Sequence, residues 1–146
     1  MDSTPPPATA SYRFATESDI PAILALWQVA AENNSRPSDD EGKVRAVIER
    51  DSEALDLAIV GGQIVGSLIA GWDGWRGHLY RLAVHPASRR LSIGSQLLDR
   101  AEQRLTHLGA SRIDAMVLDS NELGQTIWNA QGFSKQDDWR RWVRPL

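Results

Sequence analysis

The sequence predicts an α+β domain, built on a mixed, mostly antiparallel sheet of six to seven strands flanked by about four helices. Three observations carry this. Two apolar runs, Leu55–Val60 and Gln63–Trp72, meet at Gly61-Gly62, a dipeptide that suits a tight hairpin. The apolar run ending at Val84 feeds, through a basic turn, a helix-period stripe that begins at Ile93. Another apolar run follows that stripe at 112–118, where a right-handed crossover lays it parallel to the strand ending at Val84.

Taken in order, residues 1–10 are rich in Pro and read as a disordered tail, and 11–146 as a single domain. Tyr12-Arg13-Phe14-Ala15 reads as a short strand. The stretch Thr16-Glu17-Ser18-Asp19 offers N-caps, and Pro21 is tolerated in a first helical turn. Ile20, Ile23, Leu24 and Trp27 then mark one face of a helix ending near Glu32. Residues 33–38 form a loop, and a second helix starts after Ser38 or Asp39. Acidic Asp39, Asp40 and Glu41 suit its first turn, and Val44, Val47 and Ile48 its apolar stripe. The hairpin strands follow, then a turn at 73–77 and a third strand at 78–84. Ile93, Leu97, Leu98, Ala101, Leu105 and Leu108 line the next helix, with Gly109 as its C-cap. After the strand at 112–118 comes a short helix at 122–130, closed by Gly132. A final hairpin is expected from 133–135 and 139–143 around Asp137-Asp138.

Composition narrows the chemistry. The chain of 146 residues carries no Cys, which excludes disulfides, thiolate metal sites and a Cys nucleophile together. Three scattered His give no metal-ligand spacing, so no metal is expected. Net charge is −3, which disfavours nucleic acid as a partner. The N-terminus lacks the basic and apolar regions of a signal peptide, and no apolar run approaches the ~20 residues needed to span a bilayer. A cytoplasmic protein without a membrane partner is the expectation.

The stretch 82–98 is the candidate functional centre. A strand that enters a helix through a tight turn leaves backbone N–H groups without helical partners, at the positive end of the helix dipole. Arg89 and Arg90 add formal charge there. Such a place suits a phosphate.

The residues in this stretch resemble the GNAT acetyltransferase superfamily. That family's phosphate loop follows a strand as Arg/Gln-x-x-Gly-x-Gly/Ala, and Arg89-Arg90-Leu91-Ser92-Ile93-Gly94 stands in its place after Leu82-Ala83-Val84-His85-Pro86. A second block, from Asn121 through Gly124 and Trp128 to Gly132-Phe133, is similar to the family's Asn-x-x-Ala-x-x-x-Tyr-x-x-x-Gly-Phe segment. The turn Gly71-Trp72-Asp73-Gly74-Trp75-Arg76-Gly77 resembles a bacterial subgroup. The resemblance spans residues 12–143.

It implies a GNAT-like fold and transfer of the acetyl group of acetyl-CoA to an amine, by direct attack in a ternary complex. The backbone of Arg90, Leu91, Ser92, Ile93, Gly94 and Ser95 would then bind the pyrophosphate, with Arg89 beside it. Leu82, Ala83 and Val84 would pair with the pantetheine arm as an added strand would, and an N–H there would polarise the thioester carbonyl. Asn121, Gly124 and Trp128 would face the cofactor across the gap. Two residues depart from the family pattern. Ser92 replaces the first loop glycine but keeps its N–H, so binding is expected with altered affinity. Trp128 stands where the family has a Tyr that protonates the leaving thiolate, and an indole N–H is no usable acid.

Tyr80 is the candidate replacement acid, with water as the alternative. Asp73, His78, Glu32 and Asp119 lie in segments that could border the cleft and supply a base. Asp73 is the leading one, although it reads equally well as a turn residue. His85, before Pro86, reads as positional. Trp27 belongs to the core, whereas Trp72, Trp75, Trp139 and Trp142 suit an acceptor pocket or a homodimer contact. Trp128 also supports a second reading, a non-catalytic acyl-CoA-binding or sensory domain. The amine acceptor is not legible in the sequence.

Overall fold

The computed structural model describes residues 9–30 and 39–146. Most of the Pro-rich tail and the loop expected at 33–38, with Glu32, lie outside these residues.

Five strands form one sheet in sequence order: β1 (Ser11–Phe14), β2 (Leu55–Val60), β3 (Gln63–Trp72), β4 (Gly77–Val84) and β5 (Ile113–Ala115). Neighbours are antiparallel except β4 and β5, which run parallel, as the crossover through the intervening helix requires. The turn between β2 and β3 puts Gly61 and Gly62 at φ 57° and 77°, a conformation that glycine adopts without steric cost.

Helices α1 (Ile20–Ala30) and α2 (Glu41–Arg50) cover one face of the sheet, and α3 (Ile93–Leu108) the other. Strand alternation divides the core accordingly. Leu55, Leu57 and Ile69 pack with Ile20, Ile23, Leu26, Trp27 and Val44, while Ala58, Leu68, Ala70 and Leu79 meet Ile93, Leu97, Leu98, Ala101 and Leu105. Leu108, expected in the α3 stripe, is exposed. α4 (Glu122–Ala130) adds Trp128 to the α3 side of the core.

Local signals set the helix ends. Asp19 accepts the Thr16 N–H at 2.8 Å ahead of α1, and the Asp40 carboxylate accepts the amides of Gly42 (2.6 Å) and Lys43 (3.3 Å) at the start of α2. Gly109 ends α3, with its amide bonded back to Leu105 and Thr106. On the α3 side, Arg100 pairs with the buried Asp56 of β2 and lies over the rings of Tyr12 and Phe14, which fixes the helix across the first two strands.

The far end of the chain departs from expectation. β5 spans three residues instead of 112–118, and 133–146 forms no strand, so among the described residues the sheet has five strands rather than six to seven. Phe133 turns back onto α4: its amide bonds to Trp128 O at 3.0 Å, and the two rings meet edge to face at 4.9 Å. Beyond it, Trp139-Arg140-Arg141-Trp142-Val143-Arg144-Pro145 lacks the period-two alternation that would give a strand a single apolar face.

Candidate active site

β4 carries the defining irregularity. Ile69 faces Tyr80 and Ser67 faces Ala83, so Leu68 alone stands opposite both Arg81 and Leu82. This is a β-bulge. It sets Arg81 at φ 56°, left-handed for a residue that bears a Cβ, a conformation held only where the surroundings impose it. As a result Tyr80, opposite Ile69, and Arg81, stacked 5.5 Å over the Trp27 ring, lie on the same face of the sheet as α1. β5 pairs with β4 only at Gly77, His78 and Leu79. Past Leu79 the ladder ends, and this leaves Leu82, Ala83 and Val84 beside a gap with no β5 partner.

The gap leads to the start of α3. His85 extends the β3 pairing through its amide, 2.7 Å from Val65 O, and its Nδ1 accepts the Ala87 N–H at 3.1 Å. His85 is therefore a turn-forming residue, as expected. The turn then exposes Arg89 and Arg90, with Leu91 half-buried. Ser92 is the N-cap of α3 at φ 57°, ψ 26°, and its side chain makes no capping hydrogen bond. The left-handed geometry explains why a glycine suits this position. Ile93 is buried and offers only its backbone, as does Gly94, while Ser95 is half-buried. The amides of the first helical turn have no partner within the helix, so this end of the gap suits an anion. A Cβ at Gly94 would lie 3.9 Å from Ile127 Cγ2, an ordinary contact, so protein packing alone does not demand glycine there.

α4 borders the first turn of α3 through that Ile127 contact. Asn121 is the N-cap of α4, and its Oδ1 accepts the Gly124 N–H at 2.9 Å. Any Cβ at Gly124 would collide with the Asn121 side chain, 2.3 Å from its Nδ2. Trp128 is 7% exposed in the core against Phe133, so it offers little surface to the gap.

The acid–base candidates lie around the lower half of β4. Tyr80 is half-exposed beside the bulge, and partial burial pushes its phenol up, against smaller opposing effects of Arg81 and Arg50. Two positions earlier on the same face, His78 lies between carboxylates, 3.9 Å from Asp73 and 3.9 Å from Asp114. Asp73 serves its turn first, since Oδ1 accepts the amides of Trp75 (2.8 Å) and Arg76 (2.6 Å). Those amides hold its carboxyl below the usual carboxylate range. Asp119 is exposed and paired with Lys135 at 3.3 Å, and Glu32 lies outside the described residues.

Some contributors escape sequence reasoning. Trp27 is buried as expected, yet its indole N–H also donates to Ser67 at 2.8 Å, and the Ser67 hydroxyl donates to Arg81 O at 2.9 Å. Arg81 also binds the Asp39 carboxylate at 3.1 Å. The one trace of this in the sequence is a lone Ser inside the apolar run Ile64-Val65-Gly66-Ser67-Leu68-Ile69. Among the described residues no group of His, Asp or Glu could hold a metal, and no helix is long and apolar enough to cross a membrane.

Comparison with known proteins gives a consistent result. The family model described as the acetyltransferase (GNAT) family matches residues 20–133. An acetyltransferase of Pectobacterium atrosepticum is 34% identical over 111 residues, covering 75% of this chain and 77% of that protein. Among solved structures, an acetyltransferase with acetyl-CoA from Clostridium acetobutylicum superposes with TM-score 0.71 at 18% identity, covering 92% of this chain and 96% of that one. An aminoglycoside N-acetyltransferase in complex with CoA gives TM-score 0.73 at 16% identity, covering 98% and 99%.

Proposed function

This chain belongs to the GNAT family of acetyltransferases, and on that premise we propose that it transfers the acetyl group of acetyl-CoA to a primary amine by direct attack in a ternary complex. The observation that carries this is the β4–β5 gap, bordered by the backbone past the Arg81 bulge and ending at the uncapped, basic N-terminus of α3. A thioester with a pyrophosphate-bearing arm fits that donor set, and when bound it supplies an activated acyl group. Arg89, Arg90 and the amides from Leu91 to Ser95 hold the phosphates. Leu82 and Val84 pair with the arm, and Ala83 and Gly94 leave it room. Asn121 and Gly124 at the head of α4 form the opposite wall, and Trp128 backs them from the core.

The chain's own groups then handle protons. The Leu82 N–H draws electron density onto the carbonyl oxygen. Tyr80 keeps its phenol proton at neutral pH, which suits an acid that protonates a departing thiolate. Asp73 and His78 offer an acceptor for the amine proton on the same side of the sheet. No Cys is present for an acyl-enzyme, in keeping with direct attack. A cytoplasmic protein that acts on a diffusible or protein-borne amine is the setting this reading assumes, with the exposed Trp75, Trp139 and Trp142 available for an acceptor or a second copy. The test is a panel of amines, monitored by thiol release and mass spectrometry of products. CoA release tied to an acetylated amine supports the reading. Tight acetyl-CoA binding without turnover on any amine would support a sensory or acyl-CoA-binding domain instead.

A further inference from the structure

We propose that Ser67 is a positioning residue that aims the Leu82 N–H into the cleft, with Trp27 locking its hydroxyl. The inference rests on the acetyl-CoA reading above. Ser67 is fully buried in β3, where a lone hydroxyl needs partners for both its proton and its lone pairs. Trp27 Nε1 donates to it at 2.8 Å, which leaves the Ser67 proton to go to Arg81 O at 2.9 Å. The hydroxyl therefore has one orientation and one acceptor.

That acceptor is the carbonyl of the peptide that joins Arg81 to Leu82. No peptide among the described residues is cis, so the carbonyl and the following N–H point in opposite directions. The Ser67 hydroxyl stands above β3 on the α1 face, so holding Arg81 O there turns the Leu82 N–H away from β3 and from that face, toward the edge where β5 no longer pairs. In a regular strand the ladder would set that direction. Here the bulge interrupts the ladder and Arg81 sits at φ 56°, so side chains from three other elements take over. Ser67 holds the carbonyl, Trp27 lies beneath the guanidinium at 5.5 Å, and Asp39 binds it at 3.1 Å just ahead of α2. An N–H that polarises a carbonyl works only if its direction is fixed before the substrate arrives. Ser67 supplies that fixation without touching the substrate.

The test reads the carbonyl itself. Acetyl-CoA labelled with 13C at the carbonyl is bound to the full chain and its C=O stretch is recorded by difference infrared spectroscopy, with affinity followed by calorimetry. In the wild type the stretch moves to lower frequency than in solution. In Ser67→Ala it returns at least halfway to the solution value while the affinity stays within about fivefold, and Ser67→Thr, which keeps a hydroxyl, restores the shift. With an acceptor from the amine panel, Ser67→Ala lowers kcat about tenfold and leaves KM for acetyl-CoA nearly unchanged. Trp27→Phe, which keeps the ring but frees the hydroxyl to rotate, gives an intermediate shift and decides the matter if Ser67→Ala fails to fold. A Ser67→Ala stretch equal to the wild type, or a Trp27→Phe stretch equal to it when Ser67→Ala does not fold, overturns the proposal and leaves the acetyl-CoA reading intact. No acetyl-CoA binding by the wild type overturns both.

Discussion

Gly66 of β3 lies directly beneath Ile93, the first residue of α3. A Cβ built on Gly66 would come within 2.8 Å of Ile93 Cγ2, 3.1 Å of the Ala58 Cβ and 3.3 Å of Leu97 Cδ1. The first turn of α3 can approach the sheet this closely only because nothing projects from Gly66. Since that turn carries the amides assigned to the phosphates, the proposed binding at its end depends on the packing under it.

Gly66→Ala is therefore expected to cost about 1–3 kcal/mol through overpacking. It should also weaken acetyl-CoA binding, because Ile93 must shift and carry the first-turn amides with it. Urea denaturation and calorimetry measure the two effects, and unchanged affinity in a destabilised variant would separate them.

Ser92 tests backbone strain at the same turn. At φ 57° a left-handed serine costs about 1–2 kcal/mol relative to its preferred regions. Ser92→Gly relieves this while adding up to about 1 kcal/mol of unfolded-chain entropy, so its stability should be near that of the parent and its affinity for acetyl-CoA equal or tighter. Ser92→Val, branched at Cβ, is expected to lose more than about 1 kcal/mol and to bind more weakly.

Arg89 and Arg90 are exposed and bear little on folding. Reversing both to Glu should leave the melting temperature nearly unchanged. Charge-assisted hydrogen bonds contribute about 1.5–3 kcal/mol each, so calorimetry should record at least about a hundredfold loss of acetyl-CoA affinity. In the parent, affinity should fall as salt is raised.

Tyr80→Phe should lower kcat about a hundredfold with little change in acetyl-CoA affinity, the effect of losing a general acid. The phenol acts only while protonated, and burial raises its pKa. The parent rate should therefore fall only as pH rises through a value above that of ordinary tyrosine, and Tyr80→Phe should lack that limb.

Acid stability reports on the start of α1. Arg13 binds Asp19 through two hydrogen bonds, at 2.7 and 2.8 Å, and Arg13 with the Thr16 amide holds the Asp19 carboxyl at about 2 against an ordinary 3.8. The folded pKa lies below the unfolded one, so this contribution is fully present above the unfolded value and disappears as pH falls through the folded one. It amounts to about 2 kcal/mol. Asp19→Asn should flatten the fall in melting temperature between neutral pH and pH 2.

The elements legible in the sequence are those set by neighbours along the chain. The apolar stripe from Ile93, the Gly109 cap and the Gly61-Gly62 turn act over a few residues, and each is found where its pattern falls. The basic turn at Arg89 and Arg90 was legible for the same reason. The hairpin expected from 133–135 and 139–143 around Asp137-Asp138 does not form: the second run lacks alternation, and Phe133 packs on Trp128 instead. Asp73 read as both turn and base because an Asp before Gly satisfies either, and its bonds to the Trp75 and Arg76 amides establish the turn role.

The order of the elements from β1 to α4, the phosphate-suited turn and the family resemblance can be read along the chain, because all follow from local pattern. Where the β4–β5 ladder stops, and how the peptide after Arg81 is held, are matters of tertiary packing. Nothing local predisposes Arg81 to a positive φ. Its conformation depends on Ser67, 14 positions away, and on Asp39, 42 positions away, with the Trp27 ring beneath it. Such contacts exist only once α1 and the start of α2 have packed on the sheet, so no window of the chain contains them.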